Sequence, residues 1–152
     1  MEKKRKLIGV CLSHAYEDIN SSLLPALCRG AEKRGWKLII FNSFNDMFDN
    51  DKYDRGARSV FDAVNYDLMD GLIIGSDTFY DRELVNSIIR SCEAAKVPVI
   101  SLGVSLPGCA CVIPDYRDSY KTLLNHVIRD HEARDTFFIA GVEGEVHSDT
   151  RI

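Results

Sequence analysis

The sequence predicts an α/β fold, a doubly wound parallel sheet built from strand–helix–strand units. Short apolar runs of strand length alternate along the chain with amphipathic stretches of helix length, which is the pattern of such units. The apolar runs are continuous rather than alternating, as in strands that are buried on both faces. The length of 152 residues, with 45% hydrophobic and 28% charged residues, suits one ordinary globular core.

The elements follow in chain order, each strand being an apolar run that polar or glycine residues bound. Strands are predicted at residues 7–12, 36–41, 71–74, 97–102, 110–113 and 136–140. Helices are predicted between them at residues 22–33, 53–64, 81–95 and 119–130.

Helix ends and apolar stripes support these helices. Ser21 or Ser22 is placed to cap the first helix, and Asp81 is placed to cap the third. Pro25 fits the first helix because it lies in the first turn, and Gly35 ends that helix. The predicted buried stripes are Leu23, Leu27 and Ala31 in the first helix, Val60, Phe61 and Val64 in the second, and Leu84, Val85, Ile88 and Ile89 in the third.

Composition excludes several classes of protein. The net charge of -4 disfavours nucleic-acid binding through this segment, since phosphate binding requires clustered Lys and Arg. The basic run at residues 3–6 is interpreted as a solvated tail. No apolar stretch reaches the roughly 20 residues of a membrane span, and no secretory signal precedes the first strand. The sequence therefore predicts a cytoplasmic protein that does not contact a membrane.

Cysteines and sequence motifs give no cofactor or metal site. The five cysteines are odd in number and irregularly spaced, which disfavours a disulfide framework. Cys109 and Cys111 have no second Cys or His pair at zinc-like spacing, so no metal is expected. No glycine-rich dinucleotide or phosphate loop is present, and no cofactor is predicted. His126 and His131 lie five residues apart and are expected on different faces of the fourth helix, without a catalytic role.

The loops after the strands are the candidate site. Open parallel sheets bind ligands outside the carboxyl ends of their strands. These loops combine Ser, Asn, Asp and His with flat aromatic side chains, a mixture that suits a sugar, a nucleoside or a similar polar ring. The same polar residues also form turns and helix caps. Two other functions stay open: a small hydrolytic enzyme with Asp77 and Asp115 as acid and base, and a dimerisation module without ligand.

A set of motifs resembles a known family. In chain order they are IGVCLS, LCRGAEKRGWKLIIFNS, YDLMDGLIIGS, KVPVISLG, VIPDY, LLNHVI, FFIAG and SDTR. Their order resembles the LacI-type periplasmic-binding-protein-like domain over nearly all of residues 7–152. NYDLMDGLII and HVIRDHEARDTFFIAG are similar to the sensor halves that precede GGDEF diguanylate cyclase domains.

The resemblance implies a two-lobed sensor in signal transduction. A ligand in the cleft between the lobes would control an attached output domain, a diguanylate cyclase, or a dimer partner. The alternative is the effector-binding domain of a LacI-like transcription regulator. Residues 1–116 would form the first lobe and residues 117–152 the start of the second, so the chain is expected to be an N-terminal fragment that forms a homodimer. Leu123, Val127, Phe137 and Ile139 would then be poorly covered.

The resemblance also assigns ligand contacts. The family's acidic contact matches Asp115 or Asp118, and both stay open. Gly103 and Val104 stand where the family often has Asp-Arg, which puts a sugar ligand in doubt. The full predicted set, from the loops and the resemblance together, is His14, Tyr16, Asn42, Ser43, Ser76, Asp77, Asp115, Tyr116, Asp118 and Arg151.

Overall fold

Five parallel strands form the sheet of this protein. The computed structural model describes residues 5–17, 21–44, 52–137 and 139, and the chain divides into two compact units, Met1–Val112 and Ile113–Ile152. The strands, all in the first unit, are β1 Leu7–Ser13, β2 Lys37–Ser43, β3 Gly71–Gly75, β4 Val99–Leu102 and β5 Ala110–Val112. Their order in the sheet is β2-β1-β3-β4-β5, and every neighbouring pair is parallel. The predicted α/β class is therefore confirmed.

Helices cover both faces of the sheet. The helices of the first unit are α1 Leu23–Glu32, α2 Lys52–Asp62 and α3 Arg82–Ala95. Alternate residues of β1 face opposite ways: Val10 and Leu12 pack with Leu24 of α1, whereas Cys11 packs with the cluster of α2 and α3. That second cluster contains the predicted stripe residues Phe61, Val64, Leu84, Val85, Ile88 and Ile89.

The ends of α1 confirm one expectation and correct another. Ser22 occupies the N-cap position, but its side chain makes no capping hydrogen bond, because the residue has helical dihedral angles instead of the extended ones that aim a cap oxygen at the helix. Gly35 follows the helix with φ +65°, and the Trp36 amide donates to the Ala31 carbonyl at 2.9 Å. Glycine adopts this left-handed conformation without steric cost, which is why the helix ends there.

The N-terminus of α3 is capped as predicted. The Leu84 amide donates to Asp81 Oδ1 at 3.0 Å, and Arg58 of α2 forms an ion pair with Asp81 Oδ2. One carboxylate thus satisfies an orphan helix amide and links α2 to α3.

Replacing Asp81 by alanine is expected to lower the free energy of unfolding by about 1 kcal/mol, the usual cost of losing a helix cap. Asp81→Asn keeps the capping oxygen and removes the charge that pairs with Arg58, so it should recover most of the loss, since partly exposed ion pairs contribute little. Urea denaturation measures both variants. Equal destabilisation by alanine and asparagine would show that the ion pair, not the cap, stabilises this end of α3.

The described part of the second unit contains a helix that changes its pitch. Helix α4 spans Arg117–Asn125 and continues as a π-helical turn over His126–Asp130. The expectation that His126 and His131 lie on different faces is wrong, because the π turn aligns residues five apart and brings their Nε2 atoms to 3.0 Å.

The rest of the second unit is partly described. Thr136 and Phe137 are not part of a strand, and residues 138 and 140 of the predicted sixth strand lie outside the described residues. The side chains of Leu123, Phe137 and Ile139 are exposed, as expected from the sequence. Among the described residues, no helix has the length and hydropathy that crossing a membrane requires.

Candidate functional site

The chain reverses its direction across the sheet between β1 and β3. From the interior strand β1 the chain passes outward to the edge strand β2. It then returns to β3, which lies on the other side of β1. The loops after β1 and β3 therefore run to opposite sides and leave a crevice at the carboxyl edge, the usual ligand position in open α/β sheets. Thr78, which the sequence reasoning missed, joins the ends of the two strands: its Oγ1 accepts a hydrogen bond from the Ser13 amide at 2.9 Å and donates to the Gly75 carbonyl at 2.7 Å.

The loop after β1 is held against the end of β2. His14 adopts φ +51°, and its amide donates to the Ser43 carbonyl at 2.8 Å. The Ala15 amide donates to Asn42 Oδ1 at 3.0 Å. Asn42 Nδ2 is buried and has no hydrogen-bond partner in the described part of the chain, and a buried amide donor without a partner is costly. The Nδ2 donor of Asn42 is therefore not used by any hydrogen bond within the described residues.

Two aromatic rings stack in the open at this edge. The rings of Tyr16, after β1, and Phe44, after β2, are nearly parallel at 9° with centroids 6.2 Å apart. The two residues are 74% and 70% exposed. Large aromatic side chains usually bury their faces, so this exposed stacked pair leaves a flat apolar surface open to solvent.

Ser76 and Asp77 follow β3 but have different surroundings. Ser76 is buried, and its hydroxyl contacts the Ser101 hydroxyl and donates to the Leu102 carbonyl at 3.0 Å. Ser76 thus ties the loop after β3 to the end of β4. Asp77 is exposed.

Asp77 lies directly against the backbone of Gly103. A Cβ atom added at Gly103 would come within 2.2 Å of Asp77 Cγ, and Gly103 has φ +84°. The Gly103 amide donates to the Val112 carbonyl at 3.0 Å, and Val104 is buried. Gly103 and Val104, which stand where the resembling family often has Asp-Arg, therefore contribute to packing. Because Gly103 has no side chain, there is room for Asp77.

The predicted contacts in the second unit lie around the start of α4. Arg117 binds Asp115 through Nε at 3.2 Å and Nη2 at 3.0 Å, and the Arg117 amide also donates to it. These hydrogen bonds lower the pKa of the Asp115 carboxyl. Tyr116 packs edge-on against Tyr120 at 6.5 Å. Asp118 lines an open cavity of about 530 Å³ beside α4. Arg151 lies outside the described residues.

The enzyme alternative requires Asp77 and Asp115 to act as acid and base. A general acid needs a raised carboxyl pKa, whereas that of Asp115 is lowered because Arg117 hydrogen-bonds its ionised form. Asp115 and Asp77 also belong to different compact units.

A further open cavity of about 600 Å³ is lined by residues 62–67 and by Ser91, Ala94 and Ala95. It lies before β3 and so away from the carboxyl edge.

Known proteins share this fold. No protein-family model matches the chain, and no curated protein matches it. The lac repressor dimer bound to operator and the anti-inducer ONPF is similar over 84% of this chain and 41% of that chain, with 18% identity and a TM-score of 0.62. An ABC sugar transporter subunit from Rhodobacter sphaeroides is similar over 84% and 42%, with 15% identity and a TM-score of 0.63. A LacI regulator from Lactobacillus casei is similar over 99% and 52%, with 15% identity and a TM-score of 0.62.

These similarities establish the fold. The protein has the α/β architecture of the LacI-type, type 1 periplasmic-binding-protein-like lobe. The chain spans about half the length, or less, of these structures.

Proposed function

We propose that this chain is part of a ligand-sensing domain of a bacterial regulatory protein, and that it binds a small polar ring at the carboxyl edge of its sheet. The observation that carries this proposal is the exposed Tyr16–Phe44 stack, together with the buried Nδ2 of Asn42, which has no hydrogen-bond partner among the residues that the structure describes. An apolar plane next to a hydrogen-bond donor suits a molecule with a flat face and a polar rim.

The chemistry of the loops favours a sugar or a nucleoside. Aromatic rings stack on the faces of nucleobases and on the apolar faces of sugar rings. The amide of Asn42 donates a hydrogen bond, and the exposed carboxylate of Asp77 accepts hydrogen bonds from ligand hydroxyls. An ABC sugar transporter subunit and the lac repressor share the fold, which supports a sugar-like ligand.

The proposed mechanism is a shift between two conformations. Residues 1–116 form the first lobe, with Asp115 and Tyr116 at its end, and residues 117–152 begin the second, with Asp118 and Arg151. Asp115 and Asp118 are alternatives for the acidic ligand contact. A ligand that contacts both lobes binds the closed conformation more tightly and so increases its population. The change then passes to an output domain or to the partner in a cytoplasmic homodimer.

The output is proposed to be transcription regulation. The structural neighbours include the lac repressor bound to operator and a LacI regulator. A diguanylate cyclase output is the alternative that the sequence motifs suggest. The attached domain in the longest natural protein that contains this chain decides between the two.

A thermal-shift screen of sugars and nucleosides is expected to identify a ligand. A compound at about 100 times its Kd stabilises the folded protein by about 2.7 kcal/mol, so the melting temperature should rise measurably. The screen uses both the 152-residue chain and the longest natural protein that contains it. Stabilisation of the longer protein alone would locate the remaining contacts in the second lobe. No stabilisation of either protein would contradict ligand sensing and favour a dimerisation module, which sedimentation tests.

Tyr16→Ala should weaken binding of the ligand that the screen identifies. Loss of one stacking face costs about 1–3 kcal/mol for a base, which corresponds to about 5- to 150-fold in Kd. Isothermal titration calorimetry measures the change. Tyr53→Ala is the matched control, because Tyr53 on α2 is also an exposed tyrosine, at 66% against 74% for Tyr16. Equal Kd values for wild type and Tyr16→Ala would remove the aromatic pair from the site.

A further inference from the structure

The end of α4 brings two histidines together. The His131 amide donates to the His126 carbonyl at 3.3 Å, a bond between residues five apart, and the Ala133 amide donates to the Val127 carbonyl at 3.3 Å. Glu132 ends the turn with φ +50°. In a regular α-helix residues five apart lie about 140° apart around the axis, so the π turn is what places both imidazoles on one side. Backbone hydrogen bonds therefore fix the spacing of the pair.

The ring geometry brings two nitrogen atoms into contact. His126 Nε2 and His131 Nε2 are 3.0 Å apart, and the rings are nearly perpendicular at 86° with centroids 4.6 Å apart. The other nitrogen of His126, Nδ1, lies 2.6 Å from Asp130 Oδ2. All three side chains are exposed, so a solute reaches them freely.

This geometry is close to that of a bound metal ion. Histidine nitrogens bind Zn²⁺ at about 2.0–2.1 Å with tetrahedral angles, which places two ligand nitrogens about 3.3 Å apart. The pair therefore needs to open by a few tenths of an ångström. A carboxylate that accepts from the second ring nitrogen is the usual outer partner of a metal-bound histidine, since it fixes the tautomer that offers Nε2 to the metal.

We propose that His126 and His131 bind a divalent transition-metal ion, Zn²⁺ or a neighbour such as Ni²⁺ or Cu²⁺, and that Asp130 positions His126. Imidazole ligands suit these metals. Within the described ranges, no group of three or more His, Cys, Asp or Glu side chains is arranged to hold a metal ion. Among the described residues, then, the pair supplies two ligands, and water or a second molecule can take the positions that protein ligands leave open.

One proton lies in the hydrogen bond between the two imidazole rings, and it has to move before both rings can bind a metal. With Asp130 accepting from His126 Nδ1, neutral His126 presents its Nε2 lone pair, and His131 Nε2–H donates to it. Metal binding requires neutral His131 to move that proton to its own Nδ1, which frees the second lone pair. The charge of the cation is shared by two imidazoles and one nearby carboxylate.

Isothermal titration calorimetry of the 152-residue chain with ZnCl₂, in a buffer that does not chelate, tests the site. One ion per chain is expected, and His131→Gln or His126→Gln should abolish binding. Asp130→Asn should weaken it by about tenfold or more, because loss of an outer partner usually costs 10–100-fold in metal affinity. Circular dichroism confirms that each variant is folded. A metal-free histidine pair predicts no titratable heat in wild type, and that result would overturn the proposal.

Two controls separate this pair from other ligands. His147→Gln should leave Zn²⁺ affinity unchanged, since His147 is not part of the proposed pair. Co²⁺ should give a visible spectrum without thiolate charge-transfer absorption, although Cys28 and Cys111 are exposed. Thiolate absorption, or binding that survives His131→Gln, would assign the metal to other residues and overturn the proposal.

Discussion

Replacing Phe61 by alanine is expected to lower the free energy of unfolding by about 3–5 kcal/mol, the usual cost of removing a buried aromatic side chain. Phe61 is 2% exposed and packs edge-on against Phe79, with ring centroids 5.2 Å apart. It belongs to the cluster between the sheet and helices α2 and α3. The cavity left by alanine lies among sheet residues that cannot close over it, so the loss should be near the upper end of the range. Urea denaturation measures it.

Phe61→Ala should also weaken ligand binding at the candidate site. Phe79 follows the loop after β3 that holds Ser76 and Asp77, so loss of its partner loosens that loop. Phe61→Leu keeps most of the volume and should cost less than half as much. Tyr53→Ala, an exposed aromatic residue on the same helix, should change stability by about 0.5 kcal/mol or less. Similar losses for Phe61→Ala and Tyr53→Ala would show that α2 does not pack on this core.

The strands and helices of the first unit were predictable because burial leaves a periodic pattern. The stripe Leu84, Val85, Ile88 and Ile89 of α3 is buried as predicted. A continuous apolar run predicts a strand covered on both faces, and this is confirmed for β3. It is wrong for the edge strands, since Ile39 and Ile40 of β2 and all residues of β5 are exposed. Strand order leaves no such local pattern, because it depends on which strands pair with each other across the sheet.

The carboxyl-edge loops were predictable in position but not in detail. Ser76 and Asp77 are adjacent and both polar, yet one is buried and the other exposed. Ser101, which contacts the Ser76 hydroxyl, lies 25 residues away in sequence. A contact of that separation has no signature in a single sequence, and the same holds for the approach of Asp77 to Gly103.

The histidine pair was missed for a different reason. A pattern of 3.6 residues per turn places residues five apart on different faces. The π turn at His126–Asp130 changes that spacing, and nothing in its residue types predicts the change. Functional groups that depend on an irregular turn are therefore the ones that periodicity arguments lose.

The cysteines differ in their surroundings. Burial raises the pKa of Cys11 to about 12 and that of Cys92 to about 11, whereas Cys28 and Cys111 are exposed. A raised pKa leaves little thiolate at neutral pH, and the thiolate is the reactive form. The two buried thiols therefore serve as small core side chains.

Gly103→Ala is expected to lower the free energy of unfolding by about 2–4 kcal/mol, the sum of two costs. The first is backbone strain, because Gly103 has φ +84°. The second is overlap, because the new Cβ would lie 2.2 Å from Asp77 Cγ and 2.5 Å from Asp77 Cβ. Asp77 cannot remain at its present position, so any ligand bound through its carboxylate should also bind less tightly. Urea denaturation and the ligand titration measure the two effects.

Gly35→Ala separates strain from overlap. Gly35 has φ +65°, and nothing lies within 4 Å of a Cβ added there, so only the strain of about 1–2 kcal/mol applies. Combining Asp77→Gly with Gly103→Ala removes the overlapping side chain, and relative to Asp77→Gly alone the loss should fall to the Gly35→Ala value. Equal losses for Gly35→Ala and Gly103→Ala in the wild-type background would mean that Asp77 does not pack on Gly103. Asp77 would then no longer be a proposed ligand contact. The loops after β1 and β2 would bind the ligand without its carboxylate.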